Sequence, residues 1–562
     1  MKKVWSLKRI TSGFILVFFL IFLVLPLGKV VMTALSVENG TLVESLKQFF
    51  DQKWQLSFLN SLKFSLIAAS CSTLLGFFLA YGNNFTNAGK RFLKVNTSIL
   101  QFPMLLPTIT YGFVLIYAFG KQGLWTKLLQ HEWFNIYGSI GILLGFIIYT
   151  LPPIFLLINN SMAYLDNRLF IVSRLMGDSW WQSLHRTVLS PLYRVLAVAF
   201  LQGFFMSFTD FGIPSAVGGQ TPFITTLLYD GFMGTIPDFQ YGSLVALTML
   251  FPSIISILIL NHLQKKVVRY EKPQALVLKK NRFRDWAFRS LFILTSTFIL
   301  GVFLILLVIP FLTNWPFDLQ PTLQNFAAFL QDDSLLTTLK NSLLMALLTA
   351  AIGTIFAYFA ALMTSREKKI YKINQLIDSV STITNSIPGM VLGVAYLLIF
   401  SSSSLHNTLM ILVIVTVVHY FATPYQMAKE ALQKMNLNWE NTAKLMGDRW
   451  ITTVWRILIP NSKLTIVDMF SYYFFNAMVT ISAVVFLTSA NTMIITAKLK
   501  ELQHFGRFND IFMLSLFLLL INLIMQLLTQ LIKRRLTNEQ KKNSCFPWLY
   551  RLSPIIKRLQ QR

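Results

Sequence analysis

The strongest constraint on this chain is a recurring run of about 20 apolar residues, the length at which a helix rising ~1.5 Å per residue crosses a hydrocarbon core of ~30 Å. Backbone N–H and C=O groups find no water in lipid and must pair within the segment, so each run is expected to be a helix. The runs fall near Gly13–Leu35, Phe58–Tyr81, Ile99–Phe119, Ile140–Asn159, Pro191–Phe208, Leu244–Leu263, Leu291–Leu312, Leu339–Met363, Ile383–Phe400, Leu409–Ala428, Leu464–Leu487 and Ile511–Ile532. With 54% hydrophobic and only 13% charged residues, the chain lies well outside the composition of a soluble domain. The expectation is an all-α polytopic membrane protein with about twelve transmembrane helices in two homologous six-helix halves.

A net charge of +26 is compatible with nucleic acid, but Lys and Arg gather in the short loops between apolar runs, as the positive-inside rule requires. The partner this charge implies is the lipid bilayer, with no nucleic acid. Lys2, Lys3, Lys8 and Arg9 place the amino end in the cytoplasm, and the basic stretch from Lys533 places the carboxyl end there. Acidic loops with Glu38, Glu44, Asp51, Asp318, Asp332 and Asp333 read as external. The basic linker Gln264–Arg289 reads as a topology-fixing loop beside anionic headgroups. The loop with Lys498, Lys500 and Arg507 fits the rule worst. The first run has a signal-like basic flank but lacks a small-residue cleavage site, so it reads as a retained helix. Cys71 and Cys545 make no disulfide framework.

Two short polar segments between apolar runs carry the same letters. Leu175-Met176-Gly177-Asp178-Ser179-Trp180 returns as Leu445-Met446-Gly447-Asp448-Arg449-Trp450, each with an arginine (Arg186, Arg456) and a proline (Pro191, Pro460) after it. The register extends the match. Asn60-Ser61-Leu62, Pro107 and Gly112 recur as Asn341-Ser342-Leu343, Pro388 and Gly393 at one constant separation. Gly177 and Phe204-Phe205 recur as Gly447 and Phe474-Phe475 at a second, slightly shorter one. Two constant offsets with one loop-length change mean a duplicated unit. The expected parts are residues 1–57 (amino end, first helix, external loop), 58–263 (first unit), 264–338 (linker, seventh helix, external loop), 339–532 (second unit) and 533–562 (tail).

The paired segments resemble the cytoplasmic loop of binding-protein-dependent ABC importer permeases, whose pattern is Glu-Ala-Ala, three residues, Gly, nine residues, Ile-x-Leu-Pro. In the second copy Gly447, Ile457, Ile459 and Pro460 fall at the family's spacing, and Ala443 survives from the opening triplet. In the first, Ile171-Val172-Ser173 replaces the triplet, Thr187 replaces the isoleucine and Pro191 comes one residue late. The resemblance implies a permease subunit of the type I importer fold. It implies a cytoplasmic ATPase dimer docking at Leu175, Met176, Gly177, Asp178 and Arg186, and at Leu445, Met446, Gly447, Asp448, Arg456 and Pro460. It also implies ATP-Mg on that ATPase, no cofactor in this chain, and an extracytoplasmic solute-binding protein. Residence in the bacterial cell membrane follows. The fused two-unit form is similar to permeases for ferric iron, thiamine and 2-aminoethylphosphonate, which favours iron or a phosphonate.

The residues themselves support no enzyme. There is no Gly-x-x-x-x-Gly-Lys-Ser/Thr loop, and the six histidines show neither metal spacing nor a triad partner. Polar groups in a membrane are costly without a role, so Thr110, Asp210, Asn476, Thr480 and Ser482 are candidates to line a path. For the hydroxyls the competing reading is a bond to their own helix; for Asp210 and Asp468 it is a helix end in water. An ion-gradient-driven transporter also uses repeats. It predicts paired charges deep in the bundle and gives no reason for two matched glycine segments. A scaffold or insertase fails to explain the repeated Pro-x-x-x-x-Gly breaks.

Overall fold

A computed structural model describes residues 2–36, 49–165, 167–265, 281–366 and 371–544. The acidic residues Glu38 and Glu44, most of the basic linker, part of Arg366–Lys372 and Cys545 lie outside the described residues. Cys71 is exposed and free.

The chain is helical nearly throughout. It opens with α1 (Lys2–Phe19) and α2 (Leu25–Leu35), joined by a π turn. The first unit runs through α3 (Gln52–Phe85), α4 (Lys90–Gln101), α5 (Thr108–Phe119), α6 (Leu124–Leu129), α7 (Ser139–Met162), α8 (Asn167–Leu175), α9 (Trp180–Leu184), α10 (Ser190–Thr209), α11 (Gly212–Val217), α12 (Ile224–Met233) and α13 (Phe239–Lys265). Then come α14 (Arg282–Val308), a hairpin of β1 (Leu312–Asn314) and β2 (Asp318–Pro321), and α15 (Gln324–Gln331). The second unit repeats the plan as α16 (Asp333–Arg366), α17 (Tyr371–Ile383), α18 (Gly389–Phe400), α19 (Leu409–His419), α20 (Ala422–Gln433), α21 (Asn438–Leu445), α22 (Trp450–Thr453), α23 (Ile459–Asn461), α24 (Lys463–Val479), α25 (Ile495–His504) and α26 (Phe508–Ser544).

The span count departs from twelve. Among the described residues eight helices are long and apolar enough to cross a membrane, or ten if each of two bent pairs is one span. The two remaining expected spans are shorter helices, α18 and α24. Proline decides the breaks. The residue before a proline is driven out of helical conformation, and Leu106 (ψ 148°) and Ile387 (ψ 120°) are extended before Pro107 and Pro388. The first break bends the path by 109°. The expected Leu464–Leu487 helix stops at Val479 because Thr480 turns extended, as Asp210 does after α10.

Proline also explains three π turns. Leu20–Val24, His185–Leu189 and Val454–Leu458 each end two residues before a proline: Pro26, Pro191 and Pro460. A proline donates nothing to the carbonyl four residues back, and a wider turn accommodates the gap. At the first of these the carbonyl left over is that of Phe22, and Tyr396 of the second unit donates to it at 2.6 Å.

The flanking helices cross over. α1 packs on the second unit, with Phe18 against Phe356 and Phe19 against Phe421, ring centroids 4.4 and 4.9 Å apart. α14, which precedes the second unit, packs on the first through Phe288 and Phe292 against Gly82 and Phe303 against Tyr111. Each unit is thus strapped by the helix that leads into the other.

Candidate functional site

The matched segments have the same backbone. In the first, Asp178 N donates to Ser173 O at 3.2 Å and Gly177 N to Arg174 O at 3.2 Å. In the second, Asp448 N donates to Ala443 O at 3.0 Å and Gly447 N to Lys444 O at 3.1 Å. This pair of bonds is a Schellman helix end, which needs a left-handed residue just past the helix. Gly177 has φ +92° and Gly447 φ +83°, and a Cβ at either would meet nothing within 4 Å. The glycines are therefore required by the turn and not by close approach.

The turn lifts two apolar side chains into the open. Leu175 and Met176 are 82% and 81% exposed, Leu445 and Met446 88% and 80%. Both pairs stand side by side in a short segment between spans. Around this shared turn the copies differ. Asp178 pairs with Arg186 at 2.8 Å and accepts from Ser173 Oγ at 2.5 Å, and Ser179 and Gln182 form a capping box. Asp448 and Arg456 make no ion pair with each other, and Arg456 is exposed. Thr187, in the isoleucine register, turns its hydroxyl back to Ser183 O. The one-residue shift of Pro460 relative to Pro191 should rotate the start of the following helix. In the second copy the helix is then interrupted at Ser462, whose hydroxyl binds Leu458 O and Tyr358.

At the opposite end the repeated Asn-Ser pair has a clear task. Ser61 Oγ accepts from Ile224 N at 2.9 Å and Asn60 donates to Pro222 O at 3.1 Å. Ser342 Oγ accepts from Ile495 N at 2.7 Å, and Asn341 donates to Asn491 O and Met493 O, each at 3.1 Å. Each pair satisfies the free backbone groups ahead of α12 and α25, which have no donors or acceptors of their own helix. The repeated glycines after the prolines serve close packing. A methyl at Gly112 would lie 2.4 Å from Ala216 Cβ, and one at Gly393 2.8 Å from Ala483 O. In the badly placed basic loop Lys498 pairs with Glu501 and Arg507 with Asp332 and Asp510, while Lys500 donates to Ser215 O and Gln503. Partial burial would raise the Asp332 carboxyl, but the hydrogen bond from Arg507 and those from Leu335 and Ser334 N–H hold it below the usual range.

One of the candidate path residues reaches across the seam between the units. Thr110 is fully buried and bonds Ser515 across the seam at 3.2 Å, not its own helix. Asn522 donates across it to Leu105 O at 2.8 Å, satisfying the carbonyl freed by the Pro107 break. Asp210 is 8% exposed; its carboxylate accepts from Ile213 N at 2.9 Å and so caps α11. It lies at a helix end, as the bland reading has it, but not in water. Asp468 does follow the bland reading, half-exposed and paired with Lys533. Asn476 bonds Tyr472 O of its own helix. Thr480 is buried, and Ser482 Oγ packs on Gly389. The sequence offered no reason to single out the phenols here. Tyr149 of the first unit and Tyr420 of the second come within electrostatic range of Asp210, and Tyr472 stacks edge-on to Tyr420, centroids 6.3 Å apart.

Two repeated helical units around a polar seam, each with a protruding apolar turn, define a repeat-built membrane transporter. The model of the family described as "binding-protein-dependent transport system inner membrane component" matches residues 72–269 and again 355–538, and the chain belongs to that family. It is 24% identical over 462 residues to the ferric transport system permease protein FbpB of Actinobacillus pleuropneumoniae, covering 78% of this chain and 65% of that protein, just under two thirds of its length. A Haemophilus influenzae protein named for ferric transport, FbpB 1, is 24% identical over 456 residues, covering 77% of this chain and 70% of its own. The molybdenum transport system permease ModB of Haemophilus influenzae is 24% identical over 218 residues, 37% of this chain and 94% of its own.

Proposed function

We propose that this chain is the membrane-spanning subunit of an ABC importer, accepting a small solute from an external binding protein and driven by a separate ATPase dimer that carries ATP-Mg. The observation that carries this reading is the pair of exposed Leu-Met turns on one shared backbone, each at the junction of two spans. A docked ATPase would bury these four side chains as central anchors. Movement of the two turns would rock the units about their seam. In this reading both termini and both turns face the cytoplasm of a bacterial cell. Cysteines at Gln182 and Lys444, in a chain without Cys71 and Cys545, then resist an impermeant thiol reagent applied outside cells. Ready labelling of either would invert the orientation.

Ferric iron is the proposed cargo. The ferric-transport names of two relatives that match over three quarters of this chain support it, and so does the seam. A buried carboxylate, in a bundle that also buries several phenols, offers hard oxygen groups of the kind that suit hard cations. The same carboxylate would repel a phosphonate, sulfate or molybdate. Asparagine caps a helix about as well as aspartate, so Asp210→Asn removes the charge and keeps the α11 cap. With the complete importer in proteoliposomes, this variant is expected to lose roughly tenfold or more of iron uptake, the scale of one lost charge interaction, with ATPase association unchanged. Full uptake would remove Asp210 from the path. Thiamine or phosphonate transport without iron would replace the cargo, and an ATPase that ignores the chain would overturn the importer reading.

A further inference from the structure

The second turn is tied to the bundle in a way the first is not. Arg366 ends α16, and its side chain is only 4% exposed. Its guanidinium donates to Leu432 O, in the last turn of α20, and, at 2.9 Å, to Met435 O just beyond that helix. The same group meets Glu440, in the first turn of α21, at 3.3 Å. A cation at a helix C-terminus and an acid at a helix N-terminus both suit the helix dipole, so one arginine serves two helix ends while rooted in a third. Breaking a buried pair of this sort leaves an uncompensated charge inside, which is strongly unfavourable. The long span α16, the bent path α19–α20 and the turn-bearing helix α21 are thereby one body. In the first unit Phe85 occupies the Arg366 register and stacks on Tyr81, centroids 5.1 Å apart, and Phe170 occupies the Glu440 register. Neither of these positions in the first unit carries a charge, so the first turn has no counterpart of this ion pair.

We propose that Arg366 and Glu440 form the joint through which movement of the second Leu-Met turn reaches the membrane-spanning helices, so that the two units transmit ATPase motion unequally. This rests on the importer reading. Arg366 is a positioning residue: it touches neither cargo nor ATPase. Its simplest competing role is that of a helix cap, and Glu440→Gln separates the two, since it weakens the pair and leaves both carbonyl bonds.

The complete importer, reconstituted in proteoliposomes, gives basal ATP hydrolysis and iron taken up per ATP. Arg366→Leu and Glu440→Gln are expected to lower uptake per ATP by roughly fivefold, within the range over which network residues modulate coupling. Basal hydrolysis stays within about twofold, as for changes away from the reacting groups. Arg366→Lys recovers part of the ratio, and Phe85→Leu leaves it unchanged. Hydrolysis and uptake falling in proportion, or a wild-type ratio in Glu440→Gln, would overturn the joint. A second measurement needs no ATPase. Spin labels at Ile355 and Thr442 should report a narrow distance distribution that Glu440→Gln broadens; an unchanged width would also overturn it. A broadened distribution in a chain to which no ATPase binds would sink the importer reading and leave the joint standing.

Discussion

The two units share a skeleton and differ in how its turn-bearing end is fixed. At matching positions the first unit holds a neutral cluster, Asn83 and Asn84 both donating to Asn159 at 2.6 and 2.9 Å. The second holds Tyr425, whose hydroxyl donates to Asp378 at 2.7 Å and meets the Thr364 hydroxyl at 2.8 Å, with Lys429 paired to the same aspartate. The first turn is closed on itself through Asp178, Arg186 and Ser173. The second leaves Asp448 without Arg456 and is anchored outside itself, through Glu440 and Arg366. The difference teaches that duplication conserved the turn and its exposed side chains, while the connections behind the turn diverged. A turn rooted in the bundle loses less freedom on docking than one held by its own side chains.

The comparison breaks most readily at the exposed leucines. Leu445→Glu is expected to weaken ATPase association by roughly a hundredfold, and Leu175→Glu by roughly tenfold, since a fully buried leucine contributes ~1.5–3 kcal/mol. Affinity of the purified chain for its ATPase checks this. Equal losses would mean the anchoring behind the turn is neutral, and the reverse order would mean the first turn is the tighter seat.

The glycines test what the units share. Gly177→Ala and Gly447→Ala each place a Cβ on a left-handed residue, at a cost of about 1–2 kcal/mol. Both have open space around them, so the two variants should lose association or local stability to the same extent. A harmless change at one position would show that its turn is not kept in the working protein.

The smallest effect lies at the aspartates. Asp178→Asn removes a pair whose arginine is 65% exposed, and such pairs contribute under about 1 kcal/mol. Hydrogen exchange should therefore quicken modestly over residues 173–186. Asp448→Asn, with no ion pair to Arg456 to lose, should leave residues 443–456 unchanged. A response there would reveal a partner that forms only on docking.

Much of this protein is local and was legible in its letters. Apolar runs must be helices in lipid whatever their neighbours, and a repeat at constant separation must repeat a backbone. Gly177 and Gly447 announced a turn because only glycine is at ease at positive φ. The expected spans Phe58–Tyr81, Ile140–Asn159 and Leu339–Met363 lie inside the observed Gln52–Phe85, Ser139–Met162 and Asp333–Arg366. Where the helices stop was less legible: Pro388 cut one expected span, and Thr480 ended another without any breaker residue. What the tertiary structure alone decided is which groups meet across the units. Thr110 finds Ser515, Asn522 finds the carbonyl of Leu105, and Tyr396 finds that of Phe22. Arg366 finds Glu440. A hydroxyl, an amide or a guanidinium carries no mark of its distant partner. The partner is fixed only when packing brings an unsatisfied group within reach, and burial then makes leaving it unpaired too costly.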